Sequence, residues 1–359
     1  MKIYLAADKN FLAYGWGKTI IRCLSKYEKK YSVRIYEFNP DLPPDNGVLF
    51  VVGVDILWLE SIAEIIKNKD IMVVQVCGEL DIFSNSVIQT GCDIKSVVEN
   101  TILHFRDNNR TRTAFFGIQK NDSSDLYKGE IFKKYYNDED IYIKNERISD
   151  TFDIFFENMH RYDSVICAND LIAIYLLKRL RKLNVAVPEQ LQLAGIGNLW
   201  ISSHISPTLT TSEYDNNMAI DIIFKLIHTE KLYNNLSKLS LMLKTDIVAR
   251  ETTGFYNCNN ESTHLYMPYK ELGIVNAADE EIRVIKNVDD ALSSLSETDR
   301  EVIKALCNGE TYNEIAETVY LTQDSVKYHL KKIYSTFGLH SAKELKRLLE
   351  ENLINIKAL

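Results

Sequence analysis

Lys327, Tyr328 and Lys331 lie within five residues of one another, at spacings that bring them to one face of a helix near the C-terminal end of the chain. Two ammonium groups about one helical turn apart, with a phenol beside them, can donate to base edges and pair with phosphates. The types and their spacing therefore offer the chemistry of reading a nucleic acid. Val326, Leu330 and Ile333 occupy the complementary face of the same stretch, so the helix has an apolar side with which to dock.

The elements that must hold this face are legible just upstream. Thr322 can cap the helix, and the short Tyr320-Leu321 connection precedes it. Thr311 and Glu314 have capping-box spacing at the start of a second helix that buries Ile315, Ala316 and Val319, and Ala316 is small where two helices must cross closely. Ser296 can cap a third helix carrying Val302, Ile303 and Leu306, which Gly309 terminates. Two crossed helices that present the N-terminal half of the second are a helix-turn-helix, and the major groove is wide enough to admit it. The alternative is a small helical bundle whose lysines are merely solvated.

The last sixty-five or so residues resemble the C-terminal domain of LuxR-type regulators. The resemblance rests on Leu295-Ser296, Asp299-Arg300-Glu301-Val302, Gly309, Glu314-Ile315-Ala316, Leu321, Ser325-Val326-Lys327-Tyr328-His329 and Phe337-Gly338-Leu339. It implies base contacts for Lys327, Tyr328 and Lys331, and a place near phosphates for Ser325 and His329; Lys332 joins this DNA-binding set. It also implies that the helix from Ser341 to Glu351 pairs the domains of a dimer. Two departures make the DNA sequence read by the family non-transferable: Tyr328 replaces an aliphatic residue, and Ala342 or Lys343 stands where arginine is usual.

Composition bounds the remainder. A chain of 359 residues with 46% hydrophobic content can build two or three cores. The net charge of −8 argues against wrapping of nucleic acid by the whole surface, while leaving room for a local basic reader. Cys23, Cys77, Cys92, Cys167, Cys258 and Cys307 are scattered without a Cys-x-x-Cys pair, the pattern of reduced thiols rather than of a disulfide framework or metal site. The chain opens on a strand, Lys2 to Ala7, and its longest apolar run, Val48 to Leu59, contains Asp55. A cytoplasmic protein with no membrane span is expected.

Before the C-terminal module, strand-like and helix-like segments alternate for about 250 residues, which points to parallel α/β architecture. Strands are expected at Ile3–Ala7, Val33–Phe38, Val48–Val52, Met72–Val76, Thr113–Gly117, Ile141–Lys144, Ser164–Cys167 and Gln192–Ile196. Within the second half stand Cys167-Ala168-Asn169-Asp170-Leu171-Ile172-Ala173, Val187-Pro188, Leu193-Ala194-Gly195-Ile196 and Ser206-Pro207-Thr208-Leu209-Thr210-Thr211. In order and spacing these resemble the effector domain of the lac-repressor family, related to periplasmic sugar-binding proteins.

That resemblance implies an α/β two-lobe periplasmic-binding-protein-like domain, with parallel sheets and a hinge cleft holding a small molecule, followed by the small all-α helix-turn-helix domain. The effector domain spans 1–253, with lobe one at about 1–108 and 212–238 and lobe two at about 109–211 and 239–253. A linker and connecting helix occupy 254–293, and the DNA-binding domain 294–359. The linker reads as polar from Thr252 to about Tyr269, and the helix from Ala277 to Leu292 carries the stripe Ile282, Ile285, Val288 and Leu292, as a lever, a dimer strut or simple packing on the DNA head.

Ligand residues should lie where loops leave the carboxyl ends of strands. This nominates Asp8, Asn10, Phe11, Tyr14 and Trp16 after the first strand, Glu79 after the fourth, and Asn169, Asp170, Asn198, Trp200 and Glu213 in the second half. Asp170 has the simpler reading of a helix cap. Asn198 stands where sugar- and purine-responsive relatives carry an acid, and Leu126 where they carry arginine, so the effector need not be a typical sugar.

A different class of function rests on Gly17-Lys18-Thr19, the tail of a phosphate-cradling loop, although Leu12 occupies the position of its leading glycine. A third has a vestigial cleft controlled by a protein partner. A phospho-receiver is disfavoured by the length of the N-terminal region and by the lack of an acidic pair, central aspartate and late lysine at strand ends. No nucleophile turn and no metal spacing among the seven histidines support catalysis, so no cofactor or metal is expected. The expected partners are double-stranded DNA, a small-molecule effector, a second copy of the chain and RNA polymerase.

Overall fold

The computed structural model describes residues 2–12, 15–76, 81–144, 146–213, 216–227, 237–255 and 279–359. In chain order the first lobe contributes β1 (Ile3–Ala7), α1 (Lys9–Leu12), α2 (Gly15–Tyr31), β2 (Ile35–Glu37), β3 (Asn46–Val52), α3 (Ile56–Ile66), β4 (Asp70–Val76) and β5 (Val87–Cys92). The next helix, α4 (Ile94–Asp107), falls in the span expected for lobe one, but its Val97, Val98, Ile102 and Phe105 are buried against Phe115, Phe132 and Ile166 of the second lobe. The second contributes β6 (Thr113–Gln119), α5 (Ser123–Phe132), β7 (Ile141–Lys144), α6 (Ile148–Asn158), β8 (Ser164–Cys167), α7 (Asp170–Lys182) and β9 (Gln192–Ala194). Then come β10 (Thr211–Glu213), α8 (Asn216–Ile227), β11 (Lys238–Leu243) and β12 (Asp246–Val248). The C-terminal region is helical: α9 (Glu280–Ser294), α10 (Glu297–Cys307), α11 (Tyr312–Thr318), α12 (Gln323–Phe337) and α13 (Ala342–Glu351).

Among the described residues the strands form a parallel sheet in the order β11-β5-β4-β3-β1-β2, a second parallel sheet in the order β7-β6-β8-β9, and the antiparallel pair β10-β12. Leu49, Phe50, Val51, Val52, Val73 and Val74 have no solvent exposure, as strands covered by helices on both faces require. One expectation fails. Residues from 239 onward are expected in lobe two, but β11 pairs in parallel register with β5 in the first sheet, from Lys238 opposite Val87 to Leu243 opposite Cys92. Its partner Val87–Cys92 is itself a strand absent from the sequence reading. The continuation Asp246–Val248 crosses to pair with β10, so the chain passes between the lobes at residues 244–245.

The C-terminal region and lobe two share one apolar core. Leu176, Leu180, Ile201 and Ile205 of lobe two are continuous with Ile285, Val288 and Leu292 of α9 and with Val302, Leu349 and Ile354 beyond it. Polar contacts register this junction: Ser206 N–H donates to Leu353 O (2.9 Å), Asn355 N–H to His204 O (2.8 Å), and Lys178 Nζ to Asn352 Oδ1 (2.7 Å). At the start of α9, Asp279 accepts from Ile148 N–H (2.8 Å) and pairs with Lys144 (2.5 Å). The apolar stripe of α9 is therefore spent on packing against lobe two as well as on the DNA head. Most of the expected linker lies outside the described residues, but its first positions do not behave as linker: Thr252 and Thr253 are buried, and Thr252 Oγ1 accepts from Thr210 N–H at 2.8 Å.

Candidate nucleic-acid interface and inter-lobe cleft

At the C-terminal end, Thr322 Oγ1 accepts from Ser325 N–H (3.2 Å) and starts α12, while Gly338 ends it in the left-handed region at φ 65°. Val326 and Ile333 are fully buried and Leu330 nearly so, which anchors the helix and leaves Lys327, Tyr328 and Lys331 outward. Tyr328 is 68% exposed, unusual for a tyrosine on a helix with a packed face. Lys327 pairs with Asp324 at 3.0 Å across an exposed turn, a contact that water or a phosphate can replace. A groove of 590 Å³ runs beside this face, lined among others by Tyr312, Lys327, Lys331, Tyr334 and His340. Tyr312 and His340 are not among the residues expected from sequence because they come from other elements, whereas Tyr334 lies one turn beyond Lys331 on α12 itself, where helical spacing could have found it.

His329 and Lys332 lie differently from the other nominees. His329 Nδ1 is 2.7 Å from Asp299 Oδ1, and Lys332 Nζ donates to Asp299 Oδ2. Asp299 is wholly buried and also accepts from Ser296 N–H (3.0 Å) and Ser296 Oγ–H (2.6 Å), completing the capping box of α10. Burial alone would raise this carboxyl, but the donors His329, Lys332 and Ser296 outweigh it and hold it at about 2. The two basic residues thus tie α12 to the start of α10.

The second candidate site is the region between the lobes. Asp8 is buried and accepts from Asn10 N–H (2.9 Å), while Asn10 is exposed. A Cβ at Gly53 would stand 2.8 Å from Asp8 Cβ, so this loop closes tightly on the end of β1. The side chains of Phe11 and Trp16, and all of Tyr14 and Glu79, lie outside the described residues. At the rim the lobes touch directly: Ile56 N–H donates to Asn121 O (3.0 Å) and Ser123 N–H to Val54 O (2.9 Å). Asp55 caps α3 on one side of that contact and Asp122 caps α5 on the other. Burial and the neighbouring Asp125 push Asp122 up to about 7.

In lobe two Asn169, rather than Asp170, caps α7, accepting from Ile172 N–H at 3.0 Å. Asp170 is fully buried and ties three strands of chain together. Its Oδ1 accepts from Thr211 Oγ–H (2.6 Å), and its Oδ2 from Leu199 N–H (2.8 Å) and Ser202 Oγ–H (2.6 Å). Burial raises its pKa, opposed by those donors. Asn198, at φ 47°, donates to Glu213 Oε2 (2.5 Å) and accepts from Arg250 Nη2 (2.7 Å). Arg250, buried and unnominated, also donates to Leu209 O (2.7 Å). Trp200 sits away from these groups: its ring stacks on His204 at 3.6 Å, with the Arg300 guanidinium 5.7 Å from the ring centre. That places it at the junction with the helical region.

A phosphate-cradling loop would have to wind over residues 12–19, but α2 has already begun at Gly15, ahead of Gly17-Lys18-Thr19. Among the described residues no helix is long and apolar enough to cross a membrane.

Comparisons with known proteins match two parts of the chain. Residues 102–253 match the periplasmic binding protein-like domain family, and residues 293–349 match the LuxR family of bacterial regulatory proteins. The probable transcriptional regulatory protein SgaR of Hyphomicrobium methylovorum is 33% identical over 75 residues, 21% of this chain and 30% of that protein. The ribose operon repressor of Lactococcus lactis is 29% identical over 99 residues, covering 26% and 29% of the two chains. The chain thus spans about three-tenths of the length of these curated relatives. Among solved structures, a complex of the transcriptional regulator CelR with cellobiose superposes with a TM-score of 0.58 at 12% identity, over 70% of this chain and 83% of that one. The Escherichia coli repressor ascG superposes with a TM-score of 0.54 at 16% identity, over 70% and 98%. These structures establish the fold of the two-lobe part.

Proposed function

We propose that this chain, a periplasmic-binding-protein-like domain followed by a LuxR-family DNA-binding domain, is a transcription regulator that reads duplex DNA through α12 and senses a small molecule between its lobes. The observation that carries the reading is the helix Gln323–Phe337, packed on one side and offering Lys327, Tyr328 and Lys331 on the other, in a chain whose remaining sheets have a lac-repressor-like fold. Residues 1–253 form the effector unit, with β11 reassigned to lobe one; 254–293 connect, and 294–359 read DNA. Ser325 completes the DNA-contacting set, and Asn198, Glu213 and Arg250 are the polar groups offered to the ligand. The protein works in the cytoplasm as a homodimer on a two-fold DNA site, where RNA polymerase is a further partner. The names of the relatives make sugars the first ligands to test.

Changing Lys331 to alanine is expected to weaken binding of a short duplex and to lower the dependence of log affinity on log salt by about one if it meets a phosphate, or to relax base preference if it meets a base. Fluorescence anisotropy across a salt series measures both. Unaltered affinity and slope would remove Lys331 from the interface.

One observation favours a second reading of the cleft. The backbone bonds at residues 54–56 and 121–123 join the lobes directly, as in a regulator whose cleft is vestigial and whose control comes from a protein partner. A thermal-shift screen of the chain against sugars, sugar phosphates, nucleosides and amino acids separates the two, since a ligand that binds the folded lobes alone must raise the melting temperature.

A further inference from the structure

Nine residues of lobe two, 198–206, touch both the cleft and the DNA-binding region. At the cleft end Asn198 lies between Glu213 and Arg250. In the middle, Leu199 N–H and Ser202 Oγ–H are fixed by buried Asp170, while the intervening Ile201 N–H donates in the other direction, to buried Asp289 of α9 at 2.8 Å. At the far end His204 O and Ser206 N–H are bonded to Asn355 and Leu353, beyond α13. Ile201 and Ile205 are without exposure in the core that both regions share, and Trp200 and His204 stack beneath Arg300 of α10.

A ligand group that competes for the amide of Asn198 or the guanidinium of Arg250 must break bonds that fix the first residue of this segment. Close-packed interiors pass such displacements between discrete arrangements instead of absorbing them. We propose that residues 198–206 are the relay by which occupancy of the cleft reaches the DNA-binding region, with Asp289 as the positioning residue that receives the displacement on α9. This rests on the regulator reading for its purpose, and on the contacts above for its path.

Hydrogen exchange of the full chain, read by mass spectrometry, tests it. Asn198→Ala is expected to speed exchange about tenfold or more at Ile201 N–H, along Glu280–Ser294 and at Asn355 N–H, as loss of the part-buried bonds to Glu213 and Arg250 implies. Coupling is reciprocal, so Asp289→Ala, made separately in case the first variant folds poorly, is expected to speed exchange at Leu199 and Asn198 by a comparable factor. Changes confined to the neighbourhood of each substituted residue would overturn the relay. Binding of a random-sequence duplex by the unaltered chain is measured alongside: its absence overturns the regulator reading, whereas the exchange pattern alone decides the relay.

Discussion

An Asp299→Ala chain is expected to lose about 2–4 kcal/mol of stability in its C-terminal helices, the sum of a lost helix cap and of charge-assisted bonds from two basic side chains. The carboxylate is fully buried, so its removal also leaves a void beside Ser296, His329 and Lys332. The pH dependence has a definite sign. Because the folded value, about 2, is below that of an unfolded aspartate, the stabilisation is present above about pH 4 and is lost as pH falls towards 2. Urea denaturation followed by helical circular dichroism measures this, and a midpoint unchanged by the substitution would refute the bracing role. Asp299→Asn, which keeps the shape and one acceptor, should fall between the two.

The second large effect has the opposite direction. Asp289 is buried, and burial pushes it up to about 7, opposed by the Ile201 N–H bond, with Asp290 and Asp170 adding to the rise and Lys286 opposing it. An unfolded aspartate titrates near ~3.9, so folding takes up a proton between about pH 4 and 7, and the contribution of Asp289 to stability declines as pH rises across that window. Asp289→Asn mimics the protonated group. The variant should gain on the original chain with rising pH, by at most roughly 4 kcal/mol at pH 8. His204, lowered to about 4 chiefly by burial, gives the reverse slope below about pH 6.5. It is present in both chains, so it cancels in the difference. Parallel stability curves for the two chains would mean that Asp289 is ionised throughout.

The difference between what local pattern reveals and what it hides is visible in particular residues. Ser296, Thr311 and Thr322 cap the helices they were expected to cap, because a cap and its acceptor lie three residues apart. A buried parallel strand such as Ser164–Cys167 was legible as a short apolar run. The strand Val87–Cys92 was not, because Gln89 and Thr90 interrupt its apolar run; Gln89 finds its partner in Gln75 of the adjacent strand, at 3.2 Å. Pairing of Lys238–Leu243 with that missed strand was therefore beyond reach as well. In the cleft, Arg250 meets Asn198 from 52 residues away, and nothing in the spacing announces it. His329 was read as phosphate-facing by resemblance, but thirty residues upstream Asp299 supplies a buried carboxylate that turns it inward.

The apolar core that runs from Leu176 through Leu292 to Ile354 has a consequence for recombination and for protein engineering. A regulator whose reader hangs on a free tether can exchange that reader for another by joining sequences anywhere in the tether. Here such a graft would cut across a filled interior, exposing Ile201 and Ile205 on one side and Val288 and Leu292 on the other. A functional chimera must carry over the helix Glu280–Ser294 and the tail from Asn352 to Leu359 together with the surface of lobe two that receives them. The portable unit is therefore lobe two with its helices.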